Sequence, residues 1–137
     1  MKKYVVDASV VLVGLLESRA DLVEKVKNVF KSSAEGKVKL LSSQFLKIEA
    51  ANGIRFNERN ETKARKLFEG FFDLPIRFVE LNESLYDQSL QTSYDLGTTV
   101  YDTSYHILAK TQNAIFLTCD EDYYKKAKSL GDIELIR

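Results

Sequence analysis

Apolar and polar positions follow a repeating order along this chain, with short apolar runs separated by amphipathic stretches. The first run, Tyr4-Val5-Val6 within KKYVVD (2–7), is rich in β-branched residues, and KKYVVD predicts a strand. A helix follows from Ser9 to about Leu16. From Asp21 to about Ala34 the apolar residues Leu22, Val26, Val29 and Phe30 recur at helical spacing. Gly36 ends that stretch, and KVKLLSS (37–43) predicts a second strand. A helix then starts at Ser43 or Gln44 and carries Phe45, Leu46, Ile48, Ala50, Ala51 and Ile54. Asn60 is placed to cap another, which runs to near Phe72. Pro75 breaks it, and PIRFVEL holds a third strand. Asn82 caps a helix from Glu83 to about Tyr94, with Gly97 as its stop. Thr99 to Lys110 is helical, NAIFLTCD holds a fourth strand, Glu121 to Leu130 is a helix, and IELI is a last short strand.

Strands that alternate with helices predict an α/β fold, a three-layer α/β/α sandwich around a short, mostly parallel sheet. The nearly continuous hydrophobicity of the fourth strand suits a buried parallel position. In such sheets ligands bind beyond the carboxyl ends of the strands, where the strand order reverses. The chain has 137 residues, 45% hydrophobic and 29% charged, an ordinary globular balance. It shows no linker, repeat or low-complexity tract, so residues 1–137 are expected to form one domain. No apolar run approaches the ~20 residues of a membrane span. Asp7 interrupts the N-terminal apolar run too early for a signal peptide, so a cytoplasmic location is expected.

Composition also limits the chemistry. One cysteine, Cys119, rules out an internal disulfide. One cysteine and one histidine, His106, cannot make a structural zinc site. A bound metal would need oxygen ligands, which points to magnesium or manganese. Twenty basic and twenty acidic residues give a net charge of zero. This lowers the expectation of nucleic-acid binding through bulk charge, although acids gathered into one metal site would leave the remaining surface basic.

Four acids fall in special places. Asp7 follows the first strand directly, and Asp120, in LTCDED, follows the fourth. In a parallel sheet both stand at the carboxyl edge. Each also suits a helix N-cap, and the two roles can coexist. Glu49 lies in the strongly apolar FLKIEAANGI, where an unpaired carboxylate is costly and needs a proton, a basic partner or a metal. Asp102, in TTVYDTSYHILAK, sits in the first turn of a helix, a favourable place for an acid through the helix dipole alone. Gathered in one cleft, four such acids would suit metal-assisted phosphodiester hydrolysis.

The sequence resembles the PIN-domain ribonucleases, and within them the VapC-type toxins of type II toxin–antitoxin systems. The resemblance spans essentially the whole chain. It rests on VVDAS around Asp7 and Ser9, EAAN at Glu49–Asn52, YDLGTTVYDTSYHILA around Asp102, and IFLTCD around Thr118 and Asp120. It implies an α/β/α sandwich and endonuclease activity on RNA that depends on magnesium or manganese. Asp7, Glu49, Asp102 and Asp120 match the acids that bind metal and activate water. Ser9 and Thr118 match supporting hydroxyls, Asn52 matches a polar residue one turn after the Glu, and Asp122 stands where some relatives carry a further acid. Thr103 replaces a common Ala, and Cys119 stands where a small residue is common. The resemblance further implies a cognate antitoxin and a homodimer.

Rival readings fit less well. An aspartate-nucleophile phosphatase would want an acid where Ser9 stands, and a receiver domain would want paired acids after the first strand. A dinucleotide or P-loop fold would want a glycine-rich turn where the chain has DASVVL. A housekeeping RNA-processing PIN nuclease and a non-catalytic PIN-like binding module remain as alternatives. The presence of all four acids favours catalysis over the module. Cys119 and Tyr105 are expected to be packed in the core, and His106 to be packed or solvent-facing. Arg55, Arg59, Lys63, Arg65 and Lys66 form a basic cluster that reads first as a solvated face and second as a rim for RNA phosphates or an antitoxin.

Overall fold

The computed structural model describes residues 1–137. Five strands, β1 (Lys2–Val6), β2 (Val38–Ser43), β3 (Ile76–Val79), β4 (Ile115–Thr118) and β5 (Ile133–Leu135), form one sheet in the order β3-β2-β1-β4-β5. Every pairing is parallel, so the sheet is wholly rather than mostly parallel. Val5 and Val6 of β1 are fully buried, as are Phe116 and Thr118 of β4. That explains the missing polar alternation in these strands, because helices cover both faces.

Helices α1 (Ala8–Leu16) and α2 (Ala20–Ala34) join β1 to β2. Helices α3 (Phe45–Asn57) and α4 (Glu61–Phe72) join β2 to β3. The chain returns through α5 (Glu83–Leu96) and α6 (Val100–Thr111) to β4, and α7 (Glu121–Ala127) leads to β5. Helices α1 to α4 pack among themselves, and α5 packs on α6, which lies over β1, β2 and β4. With right-handed crossovers the two groups occupy opposite faces of the sheet, giving three layers.

Helix starts follow the capping residues closely. Asp7, Asn60, Asn82, Thr99 and Asp120 each accept a hydrogen bond from a backbone N–H three residues on. Most helix ends fall within a residue of expectation, and two differ by more. Helix α5 runs two residues further, to Leu96, where Gly97 takes the left-handed conformation (φ 69°) and closes it. The expected helix over 121–130 divides at Ala127, and Lys128–Leu130 tightens into a 3₁₀ turn before β5.

The first crossover leaves β1 toward β2, and the last leaves β4 toward β5 on the other side. The strand order therefore reverses between β1 and β4, which are neighbours with Val6 paired to Leu117. A crevice is expected beyond their carboxyl ends.

Candidate metal and nucleic-acid site

Asp7 is the most deeply held of the acids, with 5% of its surface exposed. Its Oδ1 accepts from Ser9 Oγ (2.6 Å) and from the Val10 N–H (3.2 Å), and its Oδ2 accepts from Thr118 Oγ1 (2.7 Å). Ser9 and Thr118 are themselves fixed from β4. Ser9 Oγ accepts from the Cys119 N–H (2.9 Å), and Thr118 Oγ1 accepts from the Asp120 N–H (3.0 Å). Strands β1 and β4 are thus tied together through one carboxylate at the switch point. Burial is the main influence on Asp7 and raises its pKa from the ordinary 3.8 to about 6, against the opposing effect of its three hydrogen bonds.

Asp120 follows two residues after Thr118 and caps α7, its Oδ1 accepting from the Tyr123 N–H (3.0 Å). Asp102 lies in the first turn of α6, where its own N–H donates to the Thr99 hydroxyl (3.1 Å). Burial raises the Asp102 pKa, and the charge of Asp120 raises it further. Glu49 is half-buried on α3. Its Oε1 accepts from the Tyr105 hydroxyl of α6. Burial raises its pKa as well, the Tyr105 bond opposes this, and the charge of Asp102 adds to it.

The charge of Asp102 raises the pKa of Asp7 and of Glu49, and the charge of Asp120 raises that of Asp102. As they stand, no three of these side chains are close enough to grip a single ion, so the expected oxygen cage is not closed. Mutual repulsion between uncompensated carboxylates favours that spread arrangement. The donor set nevertheless fits a hard divalent cation, because it is all carboxylate oxygen and has no basic side chain paired to it.

The supporting candidates divide. Ser9 and Thr118 bind Asp7 directly, as above. Asp122 is exposed and shares a polar cleft with Asp102, Asp120, Gly97, Thr98, Thr99, Tyr123 and Lys126. Asn52 is exposed on α3 and makes no hydrogen bond to any of the acids. Tyr105 is a residue that spacing alone missed. It is fully buried, as its apolar helix predicts, but its hydroxyl reaches Glu49 across the layers. The available signal was the pairing of a tyrosine with a carboxylate in two apolar helices.

Packed roles hold for the remaining residues. His106 is fully buried, and its Nε2 can only donate to the Gly131 carbonyl (2.7 Å). Its Nδ1 then accepts from the Tyr123 hydroxyl (2.8 Å), which fixes a neutral tautomer, and burial lowers its pKa. Cys119 is buried and its thiol is pushed up to about 12, chiefly by that burial, so it stays protonated. The five basic residues of the cluster are all exposed. Arg55 and Arg65 edge an apolar groove between α3 and α4, lined by Ala51, Ile54, Ala64, Phe68 and Phe72.

Comparison with known proteins places this geometry in context. The family model described as "PIN domain" matches residues 4–129. No curated protein matches the chain in sequence. Among solved structures, VapBC2 from Rickettsia felis, bound to a DNA fragment from its promoter, is similar with a TM-score of 0.71 at 13% identity, covering 98% of this chain and 99% of that one. A toxin–antitoxin complex from Klebsiella pneumoniae gives 0.70 at 10% identity, covering 98% of each chain. VapC20 from Mycobacterium tuberculosis, described as a toxin that cleaves the sarcin–ricin loop, gives 0.69 at 11% identity, covering 98% and 99%.

Proposed function

Because this chain belongs to the PIN-domain family, we propose that it is a metal-dependent endoribonuclease, the toxin of a toxin–antitoxin pair. The observation that carries the reading is the Asp7 carboxylate, held through both oxygens by Ser9 and Thr118 at the point where the order of a parallel sheet reverses. Asp7, Glu49, Asp102 and Asp120 would hold magnesium or manganese. The ion would supply Lewis acidity and offset the negative charge on the phosphate under attack. The protein's own residues do the positioning. Ser9 and Thr118 hold both oxygens of Asp7, Thr99 anchors the turn that presents Asp102, and Tyr105 holds Glu49. Lys126 lines the cleft of Asp102 and Asp120 and offers a cation to a phosphate.

The toxin assignment is supported by likeness to chains solved within toxin–antitoxin complexes, and an antitoxin would be the natural partner. A homodimer is supported by Tyr86, Leu90 and Tyr94, which recur every four residues on α5 and leave one apolar face exposed. A cytoplasmic location accompanies an RNA target. No helix is long and apolar enough to cross a membrane.

The test is cleavage of a mixed-sequence RNA panel by purified protein with magnesium, manganese or EDTA, beside Asp102→Asn. Cleavage is expected with metal only, and the variant should lose at least a hundredfold, the order seen when a group that stabilises a transition state is removed. Equal cleavage by the variant, or cleavage in EDTA, would overturn the reading.

A further inference from the structure

Two contacts join α3 to α6, and they share one geometry. Phe45 and Glu49 are four residues apart on α3, while Tyr101 and Tyr105 are four apart on α6. Glu49 meets Tyr105 through a hydrogen bond, and Phe45 meets Tyr101 through a ring stack with centroids 5.1 Å apart and planes inclined by 6°. The aromatic pair is therefore the next rung, one turn nearer the helix N-termini than the carboxylate rung. Tyr101 also directly precedes Asp102 in the chain.

Phe45 covers only one face of the Tyr101 ring. The residue remains 60% exposed, and the face turned away from Phe45 carries no stacked partner. The stack fixes the plane of the ring in advance, which lowers the ordering cost of a second planar group laid on it. The next residue in the chain, Asp102, lines a polar cleft with Thr98, Thr99 and Lys126.

Building on the RNA reading above, we infer that Tyr101, backed by Phe45, is a stacking platform for an unpaired nucleobase flanking the phosphate at the carboxylates. Such stacking tolerates any base, since every base has a π face, and it requires one not already stacked within a duplex. The platform would therefore select single-stranded or looped substrate without reading its sequence. Lys126 would contact the backbone while the ring holds the base.

The chain contains no tryptophan, so Tyr101→Trp installs a single reporter at the platform. The experiment titrates this variant in EDTA, which prevents cleavage, with mixed-sequence single-stranded RNA, the same RNA as a duplex, and an abasic ribose-phosphate chain of equal length. Quenching of the tryptophan emission by single-stranded RNA, and little by the duplex or the abasic chain, is the expected result. In parallel, Tyr101→Ala should weaken binding of single-stranded RNA about five- to hundredfold and leave binding of the abasic chain unchanged.

RNA binding without quenching, and with equal affinity in Tyr101→Ala, would overturn the platform while leaving the nuclease reading intact. Emission that responds to protein concentration and not to RNA would place a second copy of the chain on the ring, and would also overturn it. Failure of the wild-type protein to bind RNA in EDTA and to cleave it with magnesium or manganese would overturn the underlying reading, and the platform with it.

Discussion

Asp7 is a carboxylate in the place of a core residue. Three donors serve it, yet burial outweighs them and its pKa rises to about 6. The consequence for stability has a definite sign. Between 3.8 and about 6 the native protein holds a proton that the unfolded chain releases, so stability falls as pH rises through that window and stays low above it. Asp7→Asn carries no charge at any pH. Its amide can be accommodated, because the Thr118 hydroxyl can turn from Asp7 toward Ser9 Oγ, 3.2 Å away. In EDTA, urea melts should show the variant and the wild type alike near pH 4. The variant should then gain a lead of up to about 3 kcal/mol by pH 7.5. The same variant should lose RNA cleavage with magnesium. A stability difference that ignores pH would mean that Asp7 is not held as described.

Elements carry the acids, so their seating sets where the acids lie. Gly53 follows Glu49 by one turn on α3 and faces α1. A Cβ at Gly53 would stand 2.2 Å from Leu12 Cδ1, closer than any real contact. Alanine would add up to about 1 kcal/mol of helix propensity. The forced displacement of Leu12 or of α3 costs about 1–3 kcal/mol. Gly53→Ala is therefore expected to destabilise the protein by about 1 kcal/mol and to lower cleavage severalfold, although every carboxylate is retained. Urea melts paired with cleavage rates would check this. Unchanged values for both would show that Leu12 swings aside freely and that α3 is not seated by this contact.

At the scale of the whole molecule, the four acids come from four separate places: the ends of β1 and β4, α3, and α6. A cation bound by them would bridge both faces of the sheet and should stabilise the fold as a unit. At a hundred times its dissociation constant, manganese should raise the thermal midpoint by roughly 10 °C. Asp102→Asn should lose most of that rise, since it removes the charge of one of the four proposed ligands. Differential scanning fluorimetry with manganese, magnesium and EDTA measures this directly. An equal rise in the variant would place the ion elsewhere.

Local chemistry written into the chain determined most of the elements. Caps such as Asn60, Asn82 and Thr99 begin helices because a side-chain oxygen there satisfies an N–H that the helix cannot. Gly97 ends one because it adopts a left-handed conformation cheaply. The strand positions of Asp7 and Asp120 were legible for the same reason, and so was the α/β layering. Contacts between distant segments were not legible. The β1–β4 pairing that sets the order β3-β2-β1-β4-β5, the Tyr105 bond to Glu49 and the Phe45–Tyr101 stack join residues more than fifty positions apart. Periodicity along one helix says which face is apolar, but not which residue of another helix meets it. Only the packing of α3 and α6 against the shared sheet edge decided that, and with it the surroundings of the four acids.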